Sequence, residues 1–205
     1  MSDKWRGEGS FECNLCGQKN TFDKEKNLNV PGQLCGSCNS STRFRLVAYA
    51  VSKYIFNGSG ILSDDIGNEN GKVGIGLSDA WPIFKVLDQL SGYTNTFYHQ
   101  QPELDIMSPS GDFTELDYLI SSDVFEHTPP PVDVPFKNAS KLLKKGGTFI
   151  LSVPTAQEYV EHFPELNKFE IIETKAGYVL ANATSSGALQ IRSDLTFHGG
   201  PGSTL

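Results

Sequence analysis

Residues 116–154, LDYLISSDVFEHTPPPVDVPFKNASKLLKKGGTFILSVP, decide how the chain is to be read. LDYLISSDVF is an apolar run of strand-forming residues and reads as a buried strand. PVDVPFKNASKLLKKGG reads as a helix stopped by Gly146–Gly147, with Lys141, Lys144 and Lys145 in its last turns complementing the helix dipole. GTFILSVP is the next strand. Strand, helix and strand in this order argue for a βαβ unit and a parallel sheet.

Upstream the alternation continues. KVGIGLSD (72–79) reads as a buried strand running into a turn, and WPIFKVLDQLSGY (81–93) as a helix with Pro82 in its permitted first turn. TNTFYHQ (94–100) is a second strand by its β-branched and aromatic content, and a short third strand is expected around Glu103–Ile106. Ligands of such sheets bind beyond the carboxyl ends of the strands. Downstream a short helix is expected after Pro154. FEIIET, GYVLANAT and ALQIRSDLTF then suggest an antiparallel insertion over 170–198. The text stops at Leu205 in a glycine-rich turn, so either the form is truncated or the sheet is completed differently. An incomplete sheet edge would favour self-association into a homo-oligomer.

The front of the chain reads differently. Cys13-x-x-Cys16 and Cys35-x-x-Cys38 match the two-knuckle pattern of a zinc site, in which each tight turn presents two thiolates to one metal. Gly17 and Gly36 sit where such turns often need φ > 0. The alternatives are two disulfides, which a chain lacking a secretory leader gives little support, or unrelated free thiols. Four protein ligands make such a zinc structural rather than catalytic. From Thr42, TRFRLVAYAVSKYIF has helical spacing, with Ser40, Ser41 or Thr42 as cap. Arg43 and Arg45 at its start suit either docking of the front module or an anionic group. Asn57–Gly71 is rich in Gly, Asn and Asp and reads as a loop. The division expected is a zinc-binding module over 1–42 and an α/β domain over 43–205.

Composition narrows the class. In 205 residues, 38% hydrophobic and 11% aromatic content suffice for a buried core. A net charge of −7 disfavours nucleic acid as the main partner, because phosphate binding needs a basic footprint. No run approaches the ~20 apolar residues of a membrane span. The polar N-terminus lacks the apolar core of a signal peptide, so a soluble, cytoplasmic protein is expected.

Lys72–Pro154 resembles the class I S-adenosylmethionine-dependent methyltransferases, in particular the type 11 group that acts on small molecules. The similarity is carried by the 116–154 stretch, which looks like that family's fourth strand, its D-x-V…E-H segment, the following helix and the L-K-x-G-G…V-P fifth strand. The cysteine pairs followed by S-x-x-R-x-R resemble zinc-bearing members. The resemblance implies a Rossmann-like sheet with helices on both faces, S-adenosylmethionine as cofactor and a small-molecule methyl acceptor such as a sugar or related metabolite.

It also implies site residues. VGIGLSDAW takes the place of the glycine-rich cofactor turn: Gly74 stands where the family has an acid, and Gly76, Ser78 and Ala80 where it has glycines. Asp79 is a candidate partner for the methionine ammonium. The second strand should end in an acid for the ribose, and here His99, Gln100 or Gln101 stands instead. Asp105 matches a position near the adenine, and Ser122 and Asp123 the end of the fourth strand facing the cleft. His127 is a candidate base, or a structural hydrogen bonder beneath Pro129–Pro131. His198 is a candidate for a substrate loop, and His162 for a surface position. Two further readings compete with the enzyme: a non-catalytic, zinc-braced binding module of methyltransferase-like fold, and an RNA methyltransferase, which the acidic charge weakens.

Overall fold

The alternations read above resolve into nine strands and three α-helices among the residues described, 8–23, 34–68, 70–128, 131–154 and 166–193, of a computed structural model. Strands β1 (Glu8–Glu12) and β2 (Lys19–Asp23) form an antiparallel hairpin whose loop is the first Cys-x-x-Cys turn. Helix α1 (Thr42–Ala50) follows the second turn, and the Ser41 side chain caps it by accepting from the Phe44 N–H. The helix widens into a π turn at Val51–Ile55, and a 3-10 turn at Leu62–Asp65 interrupts the loop expected over 57–71.

The main sheet comprises β3 (Gly74–Leu77), β4 (Tyr93–Thr96), β5 (Leu116–Ser122) and β6 (Leu143–Ser152). Its order is β4-β3-β5-β6 and every pairing is parallel, as the alternation with α2 (Trp81–Leu87) and α3 (Asp133–Leu142) requires. The short third strand expected near Glu103–Ile106 reduces to one parallel bridge, Phe97 with Glu103. Leu104 and Ile106 are instead buried as loop residues.

Alternate residues of a strand face opposite sides, and each side of this sheet has its own core. On one, Tyr93, Tyr118, Ile120 and Ile150 pack with Val47, Ala48 and Val51 of α1 and its extension and with Ile83 and Leu87 of α2. The same cluster reaches Cys13, Leu15 and Cys35, so the cysteine turns and the sheet share a continuous interior. On the other side, Ile75, Leu77 and Leu119 pack with Ala139 and Leu142 of α3 and with Leu104, Ile106 and Phe125. Helices therefore cover both faces.

One boundary differs from expectation. Helix α3 ends at Leu142, not at Gly146–Gly147, because Leu143 is already extended (φ −82°, ψ 140°) and pairs with Leu116 as the first residue of β6. Lys144 then forms an ion pair with Asp117 rather than serving the helix end. Lys72 and the Val73 N–H engage the same Asp117 carboxylate. Burial acts to raise its pKa, but the pairing with Lys144 outweighs it and holds the group below the usual carboxylate range.

Strands β7 (Lys168–Thr174), β8 (Gly177–Ala183) and β9 (Leu189–Arg192) form a separate antiparallel sheet, with Gly177 (φ 120°) and Gly187 (φ 85°) at its turns. The helix expected after Pro154, His162 and His198 lie outside the described residues. Among the described residues no helix is long and apolar enough to cross a membrane.

Candidate functional site: a cysteine centre and a cavity at the strand ends

The two Cys-x-x-Cys turns are repeats of one backbone design. The Cys13 N–H donates to the Gln18 carbonyl at 2.9 Å, and the Cys35 N–H to the Ser40 carbonyl at 3.0 Å. The Gly17 N–H returns to the Cys13 carbonyl at 2.8 Å, and the Asn39 N–H to the Cys35 carbonyl at 2.9 Å. Gly17 (φ 72°) and Asn39 (φ 58°) close the turns in the left-handed region. Gly36, expected to need φ > 0, does not: Asn39 takes that place, since asparagine tolerates the left-handed region better than most residues.

The repeats bring all four Sγ atoms within 4.8 Å of one another, with Cys13 and Cys35 buried and Cys16 and Cys38 half-buried. Cys13–Cys38 and Cys16–Cys35 lie 3.7 Å apart, and none of the four forms a disulfide. A tetrahedron with ~2.3 Å zinc–sulfur bonds has edges of about 3.8 Å, so the thiols are spaced to hold a structural metal such as zinc. Burial pushes the Cys16 thiol up to about 12. At Cys35 burial acts the same way but is outweighed by hydrogen bonds from the Cys38 and Ser37 N–H groups and the Asn20 amide, which hold the thiol down at about 6.

A second layer of contacts was not legible in the spacing. Asn20 on β2 donates to Cys35 Sγ at 3.5 Å and accepts from the Gly36 N–H at 2.8 Å. Ser40 Oγ lies 3.3 Å from Cys13 Sγ and 3.1 Å from Cys38 Sγ. Buried Arg45 donates to the Ser40 carbonyl at 2.7 Å and stacks over Phe11 at 4.2 Å, fastening the helix start to the hairpin.

A cavity of about 250 Å³ opens where β3, β4 and β5 end. Leu77, Leu104, Ile106, Met107 and Val124 form its apolar wall, with Tyr98 beside them. Ser78, Thr96, Asp105, Asp123, His127 and Thr128 supply polar groups. Ser78 (φ 54°) and Asp123 (φ 56°) both take left-handed conformations just past their strands. Such positive-φ positions in non-glycine residues cost energy and cluster at functional sites. Asp105 Oδ1 accepts from the Met107 N–H at 2.8 Å, which shapes the loop under the cavity. Asp123 forms an ion pair with Arg43 of α1. His127 Nε2 lies 3.8 Å from Glu126 Oε1. Of the Pro129–Pro131 loop only Pro131 is described, so contacts of His127 with that loop fall outside the described residues.

The remaining candidates lie elsewhere. Gly74 and Gly76 are on the opposite face from the cavity wall. Gly74 is in register with Tyr93 on one side and Tyr118 on the other, and a Cβ there would enter the Tyr118 ring. At Gly76 a Cβ would meet the Asp79 carboxylate and the Tyr93 hydroxyl. Gly74 thus makes room for Tyr118, and Gly76 for the Asp79–Tyr93 pair, rather than for the cavity. Asp79 turns inward: Tyr93 donates to its Oδ2 at 2.7 Å, and burial pushes its pKa up to about 7. Asn95 clasps the same turn, accepting from the Asp79 N–H at 2.9 Å and donating to its carbonyl at 3.2 Å. Ser122 accepts from Ser152 at 2.9 Å, tying β5 to β6. His99 is exposed, edge-on to Tyr98 at 4.4 Å.

Ser78, Asp105, Asp123 and His127 are therefore brought together, while Gly74, Gly76, Asp79, His99 and Ser122 are not among the residues lining the cavity. Thr96 and Tyr98 join the site without having been singled out; their position at the carboxyl end of β4 was the available signal. Comparison with protein-family models, with curated proteins and with solved structures gives no match.

Proposed function

We propose that the cavity binds S-adenosylmethionine and that the chain transfers its methyl group to a small-molecule acceptor, with the zinc centre as a brace. The observation that carries this reading is the cavity's position at the carboxyl ends of three parallel strands, with Asp105 and Asp123 among the polar groups that face its apolar wall. The cofactor would supply a methyl group on a cationic sulfonium, and the Asp105 carboxylate, which unlike Asp123 is not paired with Arg43, would favour such a cation. The apolar wall excludes water and holds the reactants in line, which is the main source of acceleration in such transfers. His127 on the cavity lining would take the acceptor's proton as the methyl group is transferred. The sheet order β4-β3-β5-β6 suits a Rossmann-like arrangement.

A non-catalytic binding module is the second reading. It is favoured by the turn of Gly74 and Gly76 away from the cavity and by the His99–Gln101 tip, which carries no acid for a ribose. Calorimetry with S-adenosylmethionine and S-adenosylhomocysteine separates the two. Weak binding, above ~1 μM, is expected, because a neutral group replaces a charge-assisted partner of the ribose. No binding at millimolar ligand by the folded protein would overturn the enzyme reading.

A further inference from the structure

Arg43 stands between the cysteine centre and the cavity. It lies five residues after Cys38 in the sequence. Between them is Ser40, fully buried, whose hydroxyl touches Cys13 and Cys38 and whose carbonyl accepts from the Cys35 N–H and from Arg45. Ser41 then caps α1, so the first turn carrying Arg43 is set by the second cysteine turn. Arg43 reaches across to Asp123 Oδ2 at the cavity, while Asp123 Oδ1 is buried with no hydrogen-bond partner. A left-handed aspartate is kept in place only by its surroundings, and here Arg43 holds one carboxylate oxygen and leaves the other for a ligand.

We propose that Arg43 is a positioning residue that couples metal occupancy of the cysteine centre to ligand binding in the cavity. With metal bound, the second turn is rigid, α1 starts at a fixed point and Arg43 holds Asp123. Without metal, the four thiols no longer share a ligand, the start of α1 loosens and the 121–128 segment opens more often. Linkage is reciprocal, so a cavity ligand also tightens the metal. This coupling goes beyond the methyl-transfer reading and does not need it.

The test uses the full chain loaded with zinc. Hydrogen exchange of residues 121–128 is compared in the wild type, Arg43→Ala and Arg43→Lys. Arg43→Ala should keep its zinc and speed exchange there about fivefold, as befits a half-exposed ion pair, and Arg43→Lys should restore most of the protection. Removing zinc with a chelator should open 121–128 in the wild type and add little in Arg43→Ala. Unchanged protection in zinc-loaded Arg43→Ala would overturn the proposal, as would an equal effect of chelation in both proteins. Calorimetry with S-adenosylhomocysteine runs alongside. Affinity reduced in Arg43→Ala and recovered in Arg43→Lys supports the coupling. A wild type that binds none, with the exchange pattern as expected, overturns the methyl-transfer reading while the coupling of the cysteine centre to the 121–128 wall of the cavity stands.

Discussion

The Tyr93 hydroxyl and Asp79 Oδ2 meet at 2.7 Å inside the protein, joining β4 to the turn that ends β3. Burial pushes Asp79 from 3.8 up to about 7, and raises Tyr93 as well. The folded protein therefore keeps a proton on Asp79 that the unfolded chain releases. Its contribution to stability is fully present below pH 3.8 and is lost as pH rises to about 7. At 1.36 kcal/mol per pH unit this amounts to on the order of 4 kcal/mol. Asp79→Asn should remove the slope and be the more stable protein at about pH 8. Urea midpoints across this range check it, and parallel curves for the two proteins would contradict it.

Gly74→Ala should destabilise the fold by about 2–3 kcal/mol, the cost of overpacking a filled core. The added methyl enters the Tyr118 ring. Tyr118→Leu in the same chain should recover part of the loss. A cofactor-contact role would give the opposite pattern, weaker ligand binding at unchanged thermal stability.

Asn39→Gly should be neutral or stabilising and Asn39→Ala should cost about 1 kcal/mol, because only glycine takes the left-handed region freely. The readout is the melting of the zinc-loaded chain. The matching change at Gly17, to Ala, should cost a similar amount, since the two turns share one hydrogen-bond pattern.

Asn20→Ala should leave one zinc per chain but lower its affinity about ten- to a hundredfold, the usual effect of losing a group that orients a metal ligand. Competition with a chelator measures it. An unchanged affinity would mean that the 3.5 Å contact of Asn20 with Cys35 does not support the centre.

Periodicity and punctuation made the parallel sheet and the cysteine pairs readable in the sequence. Each depends on a local rule: an apolar run in β5, helical spacing after Thr42, two residues between thiols. The role of Gly74 and Gly76 was not readable, because a glycine that admits a ligand and one that admits a tyrosine from the neighbouring strand look alike in one dimension. Register decided between them, placing Gly74 between Tyr93 and Tyr118. Asn20 and Ser40 were hidden for the same reason, since their partners are the sulfurs of turns brought together by the fold. The end of α3 was misplaced because Gly146–Gly147 is a strong helix stop, yet pairing of Leu143 with Leu116 had already claimed the chain.

Helix α3 passes into β6 with no linking residue, Leu142 closing one and Leu143 opening the other. The slack lies inside β6 instead: Leu143 is opposite Leu116 but Thr148 is opposite Tyr118, so two residue steps on β5 face five on β6. A residue inserted after Leu142 can be taken up over 144–147, around Gly146 (φ 82°), without turning α3 or exchanging the faces of 148–152. Leu142 and Ile150, which belong to opposite cores, then both keep their places. The irregular stretch between them accordingly tolerates a change of length that the paired residues on either side of it would not.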